Sequence, residues 1–415
     1  MSNLLEQFSK MKMGTELIEQ LTVLPDYDSQ ICNEDMTVRL MKLSDLYSIY
    51  IPSKMSIEIY SKIYLSVLHA LHKKNSEITL MQQYENHRVL TKQSPQTNGI
   101  IGGADSFSII GCSGIGKSSA IFSAIPLITE YKIIEQINPY KKIAPIIIVQ
   151  CPFDCSAKNL LYSILLQIDE HIGTNYFEKA SRVKCTTDML ITHVMQASLN
   201  HCCLIIIDEI QNVVRNKNGQ NLIAMLTQLI NCSGISICLV GTPESADFFS
   251  QEMQLARRTL GLKYSALPYD DFFRNFCSVV FQYQYVKNKT EIKENIIEWL
   301  YEHSGGIISV VINLIHDAQE IAIMSNREVL DLETLNLAYT ERIKMLHNFI
   351  QPSIITHSST NRKAKKNKKF IPEQLKPVND TIDIYELAMI AKEKKYDAVE
   401  FLSNYISIVE LSKVM

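Results

Sequence analysis

The sequence predicts an α/β fold with a parallel sheet at its core. Four short apolar runs, at residues 107–110, 146–149, 204–207 and 235–240, are separated by segments of helical length. Strands of this kind, alternating with helices, are typical of a parallel sheet that helices cover on both faces. The chain before and after this region has helical spacing of apolar residues instead, for example at 55–73. We therefore expect helical segments at both ends of the sheet region.

The first apolar run leads into a glycine-rich loop, which a helical pattern at 119–128 follows. Strand, loop and helix in this order are typical of P-loop proteins, in which glycines let backbone N–H groups surround phosphate oxygens. Lys117 would reach the β- and γ-phosphates of ATP, and Ser118 would bind Mg²⁺. The predicted ATP-binding residues are Gly111, Cys112, Ser113, Gly114, Ile115, Gly116, Lys117, Ser118 and Ser119.

Two carboxylates, Asp208 and Glu209, follow the third apolar run. In a parallel sheet the carboxyl end of such a strand lies beside the phosphate loop. We therefore predict that Asp208 holds Mg²⁺ through water and that Glu209 orients or deprotonates the attacking water. Without the upstream loop, the same pair would be read as a solvated strand end.

Two further positions are candidates for a role in ATP hydrolysis. Thr242, just after the fourth run, could hydrogen-bond the γ-phosphate or the attacking water, or it could cap the next helix. Arg257 and Arg258 could supply an arginine to the active site of a neighbouring subunit, although such a basic pair is more often a surface feature. The sequence leaves these alternatives open.

Composition and charge limit the class of protein. The chain has 415 residues, 46% apolar and 20% charged, which is typical of a soluble globular protein. A net charge of −3 means that any binding to nucleic acid must come from local patches. Ten cysteines in largely apolar surroundings predict reduced, buried thiols. Since we identify neither a signal peptide nor a membrane span, we expect a cytoplasmic protein without membrane contact.

Changes of pattern divide the chain into five predicted segments. These are a helical N-terminal extension (1–95), an α/β nucleotide-binding core (96–287), a helical lid (288–350), a basic linker (351–380) and a helical tail (381–415). Six of the nine residues at 361–369 are basic, so the linker is either a solvated connection or a DNA contact. The tail is too short to hold its own core, so it either packs on the ATPase or binds a partner.

In order and content these motifs resemble those of AAA+ ATPases, and more narrowly those of the TnsC/TniB group, the transposition regulators of Tn7-like elements. The broader resemblance rests on the glycine-rich loop, Asp208-Glu209-Ile210-Gln211, Gly241-Thr242-Pro243-Glu244 and Arg257-Arg258. The narrower one adds Ile51-Pro52-Ser53, Cys151-Pro152 with Ser156-Ala157-Lys158, and Phe272-Phe273-Arg274-Asn275-Phe276. One departure is that Gly305-Gly306-Ile307-Ile308-Ser309 contains no arginine, which leaves open whether the lid has a nucleotide sensor.

The resemblance implies an AAA+ P-loop ATPase that uses ATP and Mg²⁺. Its subunits would assemble head-to-tail as a ring or helical filament on double-stranded DNA, link target-site selection to transposase recruitment, and disassemble on ATP hydrolysis. By position, Lys158 and Thr186 match residues that contact the DNA backbone. Lys158 could equally be a solvated residue at a helix start, and Thr187 could serve in place of Thr186. The tail would bind a transposase or endonuclease subunit, and the other end a target-selector protein. Such a protein would be bacterial, cytoplasmic and nucleoid-associated.

Two other functions remain open. A STAND-like signalling switch ATPase would carry a repeat-rich sensor region or an effector domain, and we see neither in the sequence. A replication initiator or clamp-loader-like AAA+ ATPase would usually append a winged-helix DNA reader, which residues 331–415 do not clearly provide. The sequence therefore favours the regulator of transposition.

Overall fold

The computed structural model describes residues 4–74, 105–137, 140–182, 185–233, 235–245 and 261–343. The predicted linker and tail, at 351–380 and 381–415, lie outside these ranges. Within them, no single helix combines the length and apolarity needed to cross a bilayer. One helix pair, 294–304 with 308–324, meets those criteria only when taken together, and it is bent by 118°.

A six-stranded sheet, with strand order β2-β3-β4-β5-β1-β6, forms the centre of the described chain. Every neighbouring pair is parallel except β2 and β3, which are antiparallel. The strands are β1 (Phe107–Gly111), β2 (Ile134–Ile137), β3 (Tyr140–Gln150), β4 (Cys202–Asp208), β5 (Ser236–Gly241) and β6 (Leu262–Tyr264). The predicted α/β class with a mostly parallel sheet is thus confirmed.

Helices cover both faces of this sheet because its central strands are apolar on both. In β4, Ile205 and Ile207 pack under the helices of one face, whereas Leu204 and Ile206 pack under those of the other. The first face carries α5 (Ala157–Ile172), α6 (Tyr176–Arg182), α7 (Thr187–His201), α8 (Asn212–Arg215) and α9 (Gly219–Ser233). The second face carries α3 (Lys54–Lys74) and α4 (Lys117–Thr129). Part of the N-terminal extension is therefore a layer of the core.

Two short helices, α1 (Gly14–Leu21) and α2 (Met36–Lys42), precede α3. Single 3₁₀ turns lie at Leu4–Gln7, Ser29–Asn33 and Leu43–Ser48. The last of these turns contributes Leu43 and Leu46 to a core that it shares with the C-terminal helices. The N-terminal segment thus packs on both the sheet region and the helices that follow it.

The helices after β6, which we call the lid, pack around the apolar core that includes Leu43 and Leu46. They are α10 (Asp271–Gln282), α11 (Glu294–Ser304), α12 (Ile308–Met324) and α13 (Leu332–Ala338), with one π-helical turn at Tyr339–Ile343. Arg39 joins α2 to this lid through a buried two-pronged ion pair, in which Nη1 and Nη2 each lie 2.7 Å from an oxygen of Glu328. We call these two residues, with the backbone groups that they bind, the Arg39–Glu328 clamp.

Candidate nucleotide-binding and hydrolysis site

The loop between β1 and α4 has the shape that phosphate binding requires. Gly114 and Gly116 have φ values of 80° and 94°, a left-handed conformation that side chains other than glycine rarely adopt. A Cβ atom at Gly114 would also lie 2.2 Å from the hydroxyl oxygen of Ser309 in the lid. Both glycines are thus needed for the loop to turn its backbone N–H groups toward a ligand.

Lys117, the first residue of α4, lies folded back over this loop. Its Nζ donates hydrogen bonds to the carbonyl oxygens of Gly111 at 2.7 Å and Cys112 at 2.9 Å. Burial lowers the pKa of Lys117, and the charge of Asp208 opposes that shift. A phosphate chain in the loop would give this cation a far stronger partner than two neutral carbonyls.

Ser118 and Asp208 come together at the carboxyl edge of the sheet although they are distant in the chain. The hydroxyl of Ser118 donates a hydrogen bond to Oδ2 of Asp208 at 2.9 Å. The other carboxylate oxygen, Oδ1, accepts the backbone N–H of Glu209 at 2.8 Å. A hydroxyl and a carboxylate oxygen at this spacing are hard oxygen donors of the type that Mg²⁺ prefers.

Glu209 lies at the end of β4 in an uncommon backbone conformation, with φ 58°. The side-chain amide of Gln211 donates a hydrogen bond to its carboxylate, while the N–H of Ile210 donates to the carbonyl of Val240 in β5 at 3.0 Å. These contacts fix the turn after β4 against β5. Gln211 stands in a motif that carries the family resemblance, but the sequence pattern alone gives it no role.

Thr242 follows β5, which lies between β4 and β1 in the sheet. Its position is therefore between the strand of Glu209 and that of the phosphate loop. Its Oγ1 is buried and has no hydrogen-bond partner among the residues that the structure describes. The same holds for Oε1 of Gln211. Because Thr242 Oγ1 makes no capping bond, the geometry favours a hydroxyl that is available to a ligand.

A cavity of about 350 Å³ lies over the phosphate loop and reaches these side chains. Its walls come from three parts of the chain, of which the sequence predicts only the α/β nucleotide-binding core. The N-terminal segment and the lid also contribute, through Tyr47, Ile49, Tyr50, Ile51, Ser53, Met55, Ser56, Phe276, Ile308, Ser309, Ile312 and Asn313. The Ile51-Pro52-Ser53 motif was the one signal in the sequence for the N-terminal wall.

The residues fit ATP and Mg²⁺. The loop supplies the phosphate cradle, Lys117 a cation, and Ser118 with Asp208 a pair of metal-binding oxygens. Two unpaired polar atoms, on Thr242 and Gln211, line the same cavity. Buried polar atoms are normally hydrogen-bonded, so these two are best explained by a ligand or water that completes them.

The remaining predicted site residues lie away from this cavity or outside the described ranges. Lys158, in the first turn of α5, is half-buried, with its Nζ 5.8 Å from the ring centre of Tyr162. Thr186 is exposed, and its hydroxyl oxygen accepts the N–H of Met189 at 3.4 Å as the cap of α7. Arg257 and Arg258 lie outside the described residues, so their role stays a prediction.

Comparison with known structures finds weak similarity to replication proteins. The Aeropyrum pernix ORC1 protein in complex with DNA is 13% identical, with 63% of this chain and 64% of that chain covered and a TM-score of 0.42. Drosophila ORC bound to DNA is 12% identical, with 82% and 72% covered and a TM-score of 0.42. The match thus spans less than two thirds of the Aeropyrum chain. Domain III of the Thermotoga maritima initiation protein DnaA is 14% identical, with 65% and 92% covered and a TM-score of 0.35.

No curated protein matches the chain. A protein-family model does match, namely the bacterial TniB protein, over residues 102–264. This region contains the phosphate loop, both carboxylates and Thr242, and it agrees with the resemblance that the motifs indicated. Residues 102–264 are thus similar to the bacterial TniB family.

Proposed function

We propose that this protein is an ATP-dependent regulator of transposition, which assembles on target DNA in its ATP-bound state and disassembles on hydrolysis. The observation that carries the proposal is the contact between Ser118 and Asp208 over a phosphate loop, within the region that matches the TniB family. The contact supports a metal-binding pair beside Glu209, as ATP hydrolysis requires.

In the binding step, Lys117 would exchange its two carbonyl partners for the β- and γ-phosphate oxygens. Ser118 and Asp208 would hold Mg²⁺, which when bound neutralises charge on the phosphate oxygens. The cavity walls from the N-terminal segment would enclose the base and sugar. Lys117→Ala should therefore lose nucleotide binding and, with it, assembly on DNA.

In the hydrolysis step, Glu209 would take a proton from water as the water oxygen forms a bond to the γ-phosphorus. The bond between that phosphorus and the oxygen bridging to the β-phosphate breaks, which releases ADP and phosphate. The hydroxyl of Thr242 would orient the water or the γ-phosphate. Gln211, which now bonds Glu209, would hold the carboxylate in place.

The lid supports a link between nucleotide and assembly. The N–H of Ser309, at the start of α12, donates to the carbonyl of Gly114 at 3.1 Å. The lid therefore packs on the phosphate loop itself, so a nucleotide in that loop would set the position of the lid. In a ring or filament, Arg257 or Arg258 would act on the site of the neighbouring subunit.

DNA binding would use the side of the core where α5 and α7 begin. Helix α5 follows the carboxyl end of β3, and α7 leads into the amino end of β4, so both helices start toward the carboxyl edge of the sheet. Lys158 and Thr186 stand at these two starts. A lysine and a hydroxyl are suited to contacts with phosphates that do not depend on sequence. Transposase or endonuclease subunits and a target selector would bind the chain ends.

Electron microscopy of the purified protein with double-stranded DNA tests this proposal. We expect regular rings or filaments on DNA with a non-hydrolysable ATP analogue, and none with ADP. Lys117→Ala is the matched control, which should give no assemblies with either nucleotide. If the protein does not bind DNA in either nucleotide state, the proposed function is wrong.

A further inference from the structure

Helix α12 of the lid lines the nucleotide cavity with one of its faces. Ser309 and Asn313, which are four residues apart and therefore on the same face, are both half-buried and both line the cavity. The N–H of Ser309 donates to the carbonyl of Gly114 in the phosphate loop at 3.1 Å. This bond fixes the start of α12 against the loop that would hold the phosphates, and Asn313 follows one turn further along.

The side chain of Asn313 has no hydrogen-bond partner among the residues that the structure describes. An asparagine inside a helix can bond the carbonyl four residues before it. Asn336 in α13 does so, since its Nδ2 donates to the carbonyl of Leu332 at 2.7 Å. Asn313 instead lines the cavity, where both the donor and the acceptor of its amide are available to a ligand.

A tyrosine ring lies further along the same face of α12. Tyr47 lines the cavity and is 54% exposed, and its ring centre is 4.8 Å from that of His316. Because a helix rises about 1.5 Å per residue, Asn313 lies about 6 Å and His316 about 10 Å beyond Ser309. The cavity therefore runs from the phosphate loop, past Asn313, to the ring of Tyr47.

The parts of a nucleotide come in the same order. The phosphates would occupy the loop beside Ser309, and the base is the flat part that packs well on an aromatic ring such as Tyr47. The sugar lies between them, at the level of Asn313. Its hydroxyl groups can both donate and accept hydrogen bonds, which matches the N–H and oxygen of a side-chain amide.

We propose that Asn313 hydrogen-bonds a ribose hydroxyl of the bound nucleotide, so that the site selects ribonucleotides over deoxyribonucleotides. This inference rests on the proposed function and adds a sugar contact to it. It also gives the lid a contact to the nucleotide other than the arginine that residues 305–309 lack. Because α12 is bonded to the phosphate loop, the amide keeps a fixed distance from the phosphates.

Isothermal titration with ADP, 2′-deoxy-ADP, 3′-deoxy-ADP and GDP, each with Mg²⁺, tests the inference. The unaltered protein should bind at least one deoxy analogue about fivefold more weakly than ADP, as expected for the loss of one hydrogen bond. Asn313→Ala should bind ADP about fivefold more weakly than the unaltered protein does, and it should bind ADP and both deoxy analogues alike.

Two control variants separate the sugar contact from other effects. Asn336→Ala is the same substitution in the same lid, at a residue that does not line the cavity, and it should keep the affinity and the preference for ribose. Tyr47→Ala should weaken the binding of ADP and both deoxy analogues by the same factor, because the ring would contact the base. Removal of the ribose preference by Tyr47→Ala, and not by Asn313→Ala, would contradict the inference.

The ribose preference is the decisive readout, since a loosened lid would weaken all nucleotides equally. If the unaltered protein binds ADP and both deoxy analogues alike, or if Asn313→Ala keeps the preference, the inference is wrong and the proposed function stands. If Asn313→Ala instead loses a preference for ADP over GDP, the amide contacts the base and the inference is also wrong. If the unaltered protein binds neither ADP nor ATP, both the inference and the proposed function fail.

Discussion

The nucleotide cavity and the Arg39–Glu328 clamp are both made by residues far apart in the chain. They differ in their buried polar atoms, which are hydrogen-bonded in the clamp but partly unbonded in the cavity. In the clamp, Arg39 is 2% exposed and donates to Glu328, to the carbonyl of Tyr285 at 3.0 Å and to that of Glu34 at 3.2 Å. In the cavity, Thr242 and Gln211 each keep a buried polar atom without a partner among the described residues.

The difference separates residues that stabilise the fold from residues that act on a ligand. Buried charges are tolerated only when they are paired. A contact that joins α2 to the lid is therefore expected to pair its charges, as the clamp does. An unpaired buried atom costs free energy, and those of Thr242 and Gln211 lie in a cavity where a ligand can complete them. Substitutions in the clamp should thus change stability, and substitutions in the cavity should change turnover.

The largest effect on stability should come from Arg39→Ala. The change leaves the carboxylate of Glu328 buried without its charged partner, so the free energy of unfolding should fall by about 3–5 kcal/mol. Denaturant titration followed by circular dichroism measures this. The double variant Arg39→Met with Glu328→Leu removes both charges and should recover much of the loss. If Arg39→Ala is as stable as the unaltered protein, the clamp is not a stabilising contact.

Thr242→Val removes a hydroxyl at nearly constant shape, and we expect it to lower ATP turnover rather than stability. Since Oγ1 bonds nothing in the described protein, stability should hold, while ATP turnover should fall about tenfold or more. Gln319→Met is the control, because Gln319 is buried with its amide bonded to both Tyr285 N at 2.7 Å and Tyr283 O at 3.0 Å. That variant should lose about 1–3 kcal/mol of stability. If Thr242→Val and Gln319→Met lowered stability equally, Thr242 would be a residue that stabilises the fold and not one kept for a ligand.

Acid should weaken the clamp by a modest amount. Hydrogen bonds from Arg39 lower the pKa of Glu328, so its folded pKa lies below the unfolded value of about 4.3. The stability that it contributes is therefore present above about pH 4.3 and is lost as the pH falls through the folded pKa. Chemical unfolding between pH 3 and 6 should show a steeper acid loss for the unaltered protein than for Glu328→Gln. Identical slopes would mean that Glu328 is not held ionised.

Much of the core could be predicted because its signals are local. The four apolar runs became β1, β3, β4 and β5, within one or two residues at most ends; β3 begins earlier, at Tyr140. Strands β2 and β6 were missed. The first has four residues with alternating burial and the second has three, so neither forms an apolar run. Both pair with strands that the sequence did predict.

The walls of the cavity and the clamp could not be predicted because their signals are not local. Arg39 and Glu328 are 289 residues apart, and no spacing rule connects them. Nothing in the sequence shows that the asparagines at 212, 216 and 218 bind the backbone of residues 151, 153 and 154 in the folded protein. Conversely, the sequence placed Lys117, Ser118, Asp208 and Glu209 at one edge, because parallel strands direct their carboxyl ends to a common side.

ATP binding and turnover by Glu209→Gln test the central claim most directly. The variant keeps the size of the side chain and the loop that binds phosphate, but its amide cannot accept a proton from water. We expect nucleotide affinity, measured by isothermal titration, to be retained, while steady-state turnover falls at least about a hundredfold. Turnover at the rate of the unaltered protein would contradict the assignment of Glu209 and, with it, the account of the cavity as a site of ATP hydrolysis.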